Sequence, residues 1–444
     1  MNEQEILSVA RERLGIAELN AMQRGVMESC AAHDGDVVLY APTGSGKTLA
    51  FVIPLLTAME GGAGVVQAVV VAPSRELALQ LHRVLQALAT GLKVTCCYGG
   101  HRVEDERLSL QSTPDIVVAT PGRLLDHALR GHIQLRNARW LVLDEFDKAL
   151  ELGFDDEMRQ LMERMPHLRR RVLTSATRLE VLPGYVRLCQ PLMLDYLSSS
   201  PAPASRMTVW RVPIGEGDRQ EWLCRLLLGL PDGKTIVFVN YREAVVPLHQ
   251  ALQRRHIANG MYHGGIEQVE REKAVAMFNN GSLMVLVTTD LASRGLDIDG
   301  VRHIVHYHLP PSVESYTHRN GRTARVQATG DIYVLLQADD TCPDFVATDA
   351  VLELPATPVR RSIEAPMATL HIKAGRKEKI SRADVVGFIV NQAGLEAREI
   401  GHIDLHDHYT LVAVPRSRVA AALPRLQQSR IKGRRVRITL AHQR

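Results

Sequence analysis

Directly after the apolar run Val37-Val38-Leu39-Tyr40, residues 41–48 read Ala-Pro-Thr-Gly-Ser-Gly-Lys-Thr, and Leu49-Ala50-Phe51-Val52-Ile53 follows. A strand running into a glycine-rich turn and then a helix fits few architectures. The spacing matches G-x-x-x-x-G-K-[ST] with Ala41 in place of the first glycine. Gly44 and Gly46 let successive N–H groups converge on one point, and a helix N-terminus adds partial positive charge there. In that role Lys47 reaches the outer phosphates of a nucleoside triphosphate and the Thr48 hydroxyl meets Mg²⁺. Thr43 and Ser45 complete the loop. The plainer alternative is a Gly/Ser turn that merely opens a helix.

The rest of the chain extends this pattern. Two segments, about 30–195 and 207–345, alternate short β-rich runs with helical patterns, as βαβ units do. Strands are expected at 37–40, 66–72, 93–97, 115–119, 139–143, 171–174 and 192–194. A second set is expected near 208–213, 235–239, 258–262, 283–288, 302–307 and 331–336. Residues 198–204 (Ser-Ser-Ser-Pro-Ala-Pro-Ala) bury nothing and read as a linker. Further breaks fall at 339–343 and 355–358.

The last segment has a different rhythm. A strand at 368–372, a helix at 382–393 capped by Ser381, strands at 400–405 and 409–414, a helix at 416–428 and a strand at 434–440 give the order βαββαβ. That is the ferredoxin-like layout of RRM modules. The expected fold is therefore α/β, with two tandem parallel-sheet domains (1–197 and 207–362, joined by 198–206) and an RRM-like domain (366–444). The strand at 409–414 lacks the aromatic residues on which RRMs stack bases, Tyr409 excepted. Basic loop groups (Lys373, Arg376, Lys377, Lys379, Lys432, Arg434, Arg435) are the better candidates for RNA contact.

Charge agrees with this division. The 444 residues carry a net +4. From Met367 onward, 15 Lys/Arg stand against 6 Asp/Glu, a balance of +9, so the preceding residues carry 38 against 43, or −5. A basic module on a mildly acidic body points to a polyanionic partner; a solvated basic face is the alternative. No stretch reaches the roughly 18–20 apolar residues of a membrane span. The acidic N-terminus lacks the pattern of a signal peptide. The six cysteines form no C-x-x-C and read as reduced core thiols. These features predict a cytoplasmic protein.

Three further clusters carry chemistry. The strand Trp140–Leu143 ends in Asp144-Glu145-Phe146-Asp147; Asp144 suits a metal and Glu145 an attacking water. An N-cap with an acidic first turn is the alternative. Ser175-Ala176-Thr177 ends another strand and, alone, could simply cap a helix. His318-Arg319-Asn320-Gly321-Arg322-Thr323-Ala324-Arg325 reads as an anion clamp, because arginine forks fit phosphate oxygens. Upstream, Thr288 and Thr289 suit a nucleic-acid backbone, and Arg294 and Asp297 suit the nucleotide.

In this order the pieces resemble the DEAD-box family of ATP-dependent RNA helicases. Gln23 falls at the family's adenine-reading glutamine and residues 41–48 at motif I. Pro73–Ala78 resembles motif Ia, Gly99-Gly100 the GG motif, and Thr120–Arg123 motif Ib. Asp144–Asp147 resembles the signature tetrapeptide and Ser175–Thr177 motif III. Ile236–Asn240 resembles motif IV, Gln268–Arg271 Q-x-x-R, Thr289–Asp297 motif V, and His318–Arg325 motif VI. Phe146 replaces the family's alanine, and Ser293 the usual alanine of motif V. Leu19-Asn20-Ala21-Met22 precedes Gln23 in place of Pro-Thr-Pro-Ile, and Ile6 stands where the family has its upstream aromatic. Gly375–Ile380, Asp384–Gly387, Ile400–Ile403 and Ile431–Arg434 resemble the C-terminal RNA-binding domain of DbpA-type helicases.

The resemblance implies two RecA-like domains that hydrolyse ATP with Mg²⁺ and act on short RNA duplexes. It implies nucleotide binding by Gln23, Thr43, Gly44, Ser45, Gly46, Lys47, Thr48 and Asp297. Thr48 and Asp144 would hold Mg²⁺, and catalysis would fall to Lys47, Asp144, Glu145, Arg322 and Arg325. RNA would be touched by Arg75, Gly100, Thr120, Arg123, Arg271 and Thr289, and in the tail by Lys377, Lys379, Lys432 and Arg434. The implied partners are a 23S rRNA hairpin with its adjacent duplex and the pre-50S ribosomal particle, met by a cytoplasmic monomer in ribosome biogenesis. Two rival classes remain: a small-molecule P-loop kinase, and an RNA clamp with vestigial hydrolysis.

Overall fold

The structure is a computed structural model that describes residues 2–42, 44–100, 103–179, 181–197, 207–293, 298, 300–323, 329–355, 357 and 362–441. The expected linker at 198–206 lies outside them. The chain divides into two compact units, one running to Pro203 and one from Ala204 onward.

The first unit is built on β1 (Val37–Tyr40), β2 (Ala68–Val71), β3 (Val94–Cys97), β4 (Ile116–Ala119), β5 (Trp140–Leu143), β6 (Arg170–Ser175) and β7 (Leu192–Asp195). These form one parallel sheet in the order β3-β4-β2-β5-β6-β1-β7. Helices cover both faces, so alternate side chains feed two separate cores. Val37 and Leu39 enter the core that holds Phe51, Leu55 and Leu81. Val38 and Tyr40 enter the core of Leu124, Met158 and Leu161. Strands buried on both sides need continuous apolar runs, which is what the sequence supplies here.

The order of strands positions the site. β1 lies beside β6, and β6 beside β5. The C-terminal ends of these three strands carry residues 41–48, Ser175–Thr177 and Asp144–Asp147, so one sheet edge gathers them. Crevices at the carboxyl ends of parallel strands are where such sheets bind ligands.

The second unit holds a similar parallel sheet and a smaller antiparallel one. Strands β8 (Met207–Pro213), β9 (Lys234–Phe238), β10 (Asn259–Tyr262), β11 (Val285–Thr288), β12 (Val301–His306), β13 (Gly330–Leu336) and β14 (Ala350–Val351) take the order β10-β11-β9-β12-β13-β8-β14. The tail adds β15 (Met367–Ile372), β16 (Ile403–Leu405), β17 (Thr410–Pro415), β18 (Arg430–Ile431), β19 (Arg434–Arg435) and β20 (Ile438–Leu440). Its four-stranded sheet runs β16-β17-β15-β20, and β18 and β19 form a separate hairpin. The expected strand at 434–440 is therefore split at 436–437: the turn at Lys432 and Gly433, with φ of 47° and 75°, folds Arg434–Arg435 back onto Arg430–Ile431, and only 438–440 joins the larger sheet. The expected helix at 416–428 begins at Val419, after a short 3₁₀ turn.

One face of the tail sheet packs on its own helices through Leu370, Ile372, Val412 and Val414. The opposite face is also buried at Thr369, Leu411 and Ala413. Thr369 Oγ1 donates to Ser282 Oγ (2.8 Å) and accepts from Asn280 Nδ2 (2.9 Å), and Met367 N–H donates to the Gly281 carbonyl (3.3 Å). The turn after helix Gln268–Asn279 thus covers the sheet face that RRMs ordinarily offer to RNA.

Candidate active site

The chain leaves β1 with the Ala41 N–H bonded to the Ser175 carbonyl (3.1 Å). Gly44 and Gly46 then take φ of 78° and 87°, a left-handed region that glycine enters without steric cost. Helix Lys47–Thr57 starts at Gly46 with no side-chain cap, so its first N–H groups face the loop. The buried Lys47 ammonium donates to the carbonyls of Ala41 (2.7 Å) and Pro42 (3.3 Å). Ser45 Oγ is buried with no hydrogen-bond partner among the described residues. A curled backbone, an uncapped helix start, an ammonium and an orphaned hydroxyl fit a phosphate chain. Thr43 lies outside the described residues.

Gln23 is tied to this loop. It is the third residue of helix Ala21–Ala32, and its Oε1 accepts from the Asn20 N–H while Asn20 Oδ1 accepts from the Gln23 N–H. Its Nε2 donates to the Gly46 carbonyl (3.0 Å), and Asn20 Nδ2 donates to the Ser45 carbonyl (2.9 Å). A side chain on residue 46 would place Cβ 2.4 Å from Gln23 Nε2. Both ends of the Gln23 amide therefore engage protein groups. The pattern Asn20-x-x-Gln23 forms a capping box, which the sequence reading of Gln23 did not include.

The acidic cluster sits at the end of β5. Asp144 is 4% exposed, and burial pushes its carboxyl above the ordinary carboxylate range. A hydrogen bond from Thr174 Oγ1 and the Lys47 charge oppose that push. Glu145 takes φ 48°, ψ 52°, left-handed for a non-glycine residue, and its N–H donates to Thr174 Oγ1 (3.2 Å). Glu145 occupies the N-cap position of helix Phe146–Glu151 yet makes no side-chain cap bond, so simple capping does not account for it. A buried carboxylate beside the Thr174 hydroxyl and the Lys47 charge has the oxygen chemistry of a divalent-cation ligand.

Asp147 Oδ2 accepts from Thr177 Oγ1 (2.9 Å), and Ser175 Oγ accepts from the Thr177 N–H (3.1 Å). Ser175 and Thr177 thus join strand end to strand end and do not cap a helix. Phe146 is fully buried in the core with Leu143 and Leu161. Thr174 was not singled out in the sequence, where a threonine in a strand looks like an ordinary β-former.

The remaining candidates fall into three places. In the first unit the Arg75 guanidinium lies against Gly99 and Gly100; a Cβ on residue 100 (φ 105°) would sit 2.4 Å from Arg75 Nη1. Thr120 precedes helix Pro121–Leu129 with its hydroxyl making no cap bond, and Arg123 Nη1 lies 3.5 Å from Glu106 Oε2.

In the second unit Arg319 leaves the expected anion clamp. It is fully buried, donating to Asp290 (2.5 and 3.0 Å), to Asn240 Oδ1 (2.9 Å) and to the His308 carbonyl (3.2 Å). Beside it His306 bonds Asn320 Oδ1 (2.9 Å); burial, then the Arg319 charge, push its imidazole down to about 3. Arg322 and Arg271 are buried and Thr289 follows β11. Asp297 and Arg325 lie outside the described residues. In the tail Lys379 and Lys432 meet, Lys432 Nζ donating to the Lys379 carbonyl (2.9 Å) and pairing with Asp384 (2.7 Å). Lys377 Nζ contacts His408 (3.3 Å), and Arg434 is exposed.

Known proteins share this arrangement. Residues 20–181 match the DEAD/DEAH box helicase family, residues 218–327 the helicase conserved C-terminal domain, and residues 369–440 the DbpA RNA binding domain. The chain is 34% identical over 438 residues to the ATP-dependent RNA helicase DbpA of Escherichia coli, covering 96% of this chain and 95% of that protein. It is 34% identical to the DEAD-box ATP-dependent RNA helicase CshA of Geobacillus kaustophilus, over 74% of this chain and 70% of that one. Among solved structures, S. cerevisiae Dbp5 bound to RNA and ADP BeF3 superposes with a TM-score of 0.70 at 24% identity. That match covers 79% of this chain and 93% of Dbp5. Mss116p bound to ssRNA and AMP-PNP gives a TM-score of 0.69 at 25% identity, covering 79% and 78%.

Proposed function

The chain belongs to the DEAD-box family of ATP-dependent RNA helicases and carries a DbpA RNA-binding domain; on that premise we propose that it opens short duplexes in 23S rRNA during assembly of the large ribosomal subunit, in the cytoplasm. The observation that supports the reading most is the seam of Gln23, Gly46, Lys47, Asp144 and Thr174 around one loop. Three domains divide the work: 1–197, 207–362 and 366–444, the linker being 198–206.

In this reading Thr43, Gly44, Ser45, Gly46, Lys47 and Thr48 hold the phosphates of ATP, with Gln23 setting the loop's shape and Asp297 facing the nucleotide. Thr48 and Asp144 would hold Mg²⁺, in part through water, and the ion would supply neutralisation of phosphate charge. Glu145, fixed by its left-handed backbone and the Thr174 hydroxyl, orients the attacking water. Arg322 and Arg325 stabilise charge on the transferring phosphoryl group, a role that contributes about 10³–10⁵ in rate. Arg75, Gly100, Thr120, Arg123, Arg271 and Thr289 touch the RNA backbone. Lys377, Lys379, Lys432 and Arg434 hold an rRNA hairpin.

Lys47→Ala is expected to abolish ATP hydrolysis while the tail keeps its RNA affinity; wild-type turnover in that variant refutes the site. A small-molecule kinase would show no stimulation of ATPase by RNA, and a clamp with vestigial hydrolysis would show the same low kcat with and without RNA.

A further inference from the structure

Beside the end of β3, three metal-ligating side chains converge from three elements. Cys97 ends β3, Glu106 lies on helix Val103–Leu110, and His127 lies on helix Pro121–Leu129. Their Sγ, carboxylate oxygen and ring nitrogen all lie within 4.8 Å of one another, and the residues are 0%, 3% and 0% exposed. We propose that Cys97, Glu106 and His127 form a binding site for a borderline-soft divalent cation of the zinc class, with a fourth position for water.

The donor set carries the choice of ion. One thiolate, one imidazole and one carboxylate suit zinc better than magnesium or calcium, which take oxygen. A dication with a thiolate and a carboxylate is neutral overall, which suits a buried site. The surroundings are those of a ligand set. The Tyr98 N–H donates to Glu106 Oε1 (2.8 Å) and aims Oε2 at His127. His127 Nδ1 lies 3.0 Å from His132 Nδ1, so His127 can donate its second N–H there while Nε2 presents a lone pair. Metal-bound histidines ordinarily have such a partner.

Two adjustments accompany binding. His127 Nε2 and Glu106 Oε2 are 2.6 Å apart and hydrogen-bonded. Bonds of about 2.0–2.2 Å to one tetrahedral ion require roughly 3.3 Å, so the pair opens by about 0.7 Å. The Cys97 thiol gives up its proton as the cation binds. One proton leaves Cys97 for solvent; the His127 proton moves from Nε2 to Nδ1, and His132 shifts its own from Nδ1 to Nε2 so that its Nδ1 accepts. Arg123, 3.5 Å from Glu106, is the resident cation that the metal replaces as that carboxylate's partner.

The test is titration of the full-length, chelator-treated protein with Co²⁺, without nucleotide. The expected result is thiolate-to-cobalt charge-transfer absorption at one ion per chain, bleached by one equivalent of Zn²⁺. Cys97→Ser should lose the band, and Cys189→Ser, at an exposed thiol, should keep it. Glu106→Gln, which keeps the shape and the bond from the Tyr98 N–H, should weaken Co²⁺ binding at least tenfold even if Cys97→Ser folds poorly. No band in the wild type, an unchanged band in Cys97→Ser, or unchanged affinity in Glu106→Gln overturns the proposal.

Discussion

Thr174 is a single hydroxyl that serves two neighbouring acids: it donates to Asp144 and accepts from the Glu145 N–H. A hydrogen bond to a buried charged group contributes about 1.5–3 kcal/mol. Thr174→Val keeps the shape and removes both bonds. It should lower RNA-stimulated kcat about 10–100-fold and raise the Mg²⁺ concentration needed for half activity; unchanged Mg²⁺ dependence would contradict the role. Gln23 makes a second residue-scale prediction. Its amide holds Gly46, so Gln23→Ala should weaken binding of all four nucleoside triphosphates to a similar extent. A loss confined to ATP, measured by competition binding, would instead make it an adenine reader. Gly100→Ala should cost about 1–3 kcal/mol or displace Arg75, since residue 100 has a left-handed φ and a Cβ there meets the guanidinium. Weaker RNA binding with unchanged basal ATPase is the expected outcome.

At the scale of elements, the second parallel sheet carries an acid-sensitive strand. His306 on β12 is held neutral by burial, with its pKa near 3 against about 6.5 when unfolded. Its folded-state pKa is depressed, so the stability it permits is complete above pH 6.5 and is lost as pH falls toward 3. The slope is about 1.4 kcal/mol per pH unit. Urea unfolding of the second unit should therefore weaken by about 2 kcal/mol from His306 between pH 7 and pH 5, and His306→Gln should remove that share; an equal slope in the variant would contradict it. The strands were legible because each is a short apolar run bounded by turns. Ala350–Val351 was not, since two residues at a sheet edge leave no period. Arg434–Arg435 was read as the start of a strand at 434–440, and its pairing with Arg430–Ile431 was not legible, because these basic residues carry no pattern. The phosphate loop and acidic tetrad were legible from spacing. The burial of Arg319 was not, because three arginines in seven residues look alike until Asp290 and Asn240 come beside one of them.

At the scale of the whole molecule, the tail and the second parallel sheet share one compact unit, with Thr369 packed on Asn280 and Ser282. Deleting 366–444 should thus lower the thermal stability of that sheet domain as well as remove RNA selectivity, while basal ATPase remains. Lys377, Lys379, Lys432 and Arg434 are exposed, on a loop and a hairpin joined by the Lys432–Lys379 contact. Phosphate contacts there should make affinity fall steeply with salt. The most direct test of the central claim is ATPase stimulation by 23S rRNA fragments with and without the hairpin. The account predicts strong stimulation only when the hairpin is present, and loss of that preference on deleting 366–444. Equal stimulation by both fragments, or a hairpin preference that survives the deletion, would contradict it.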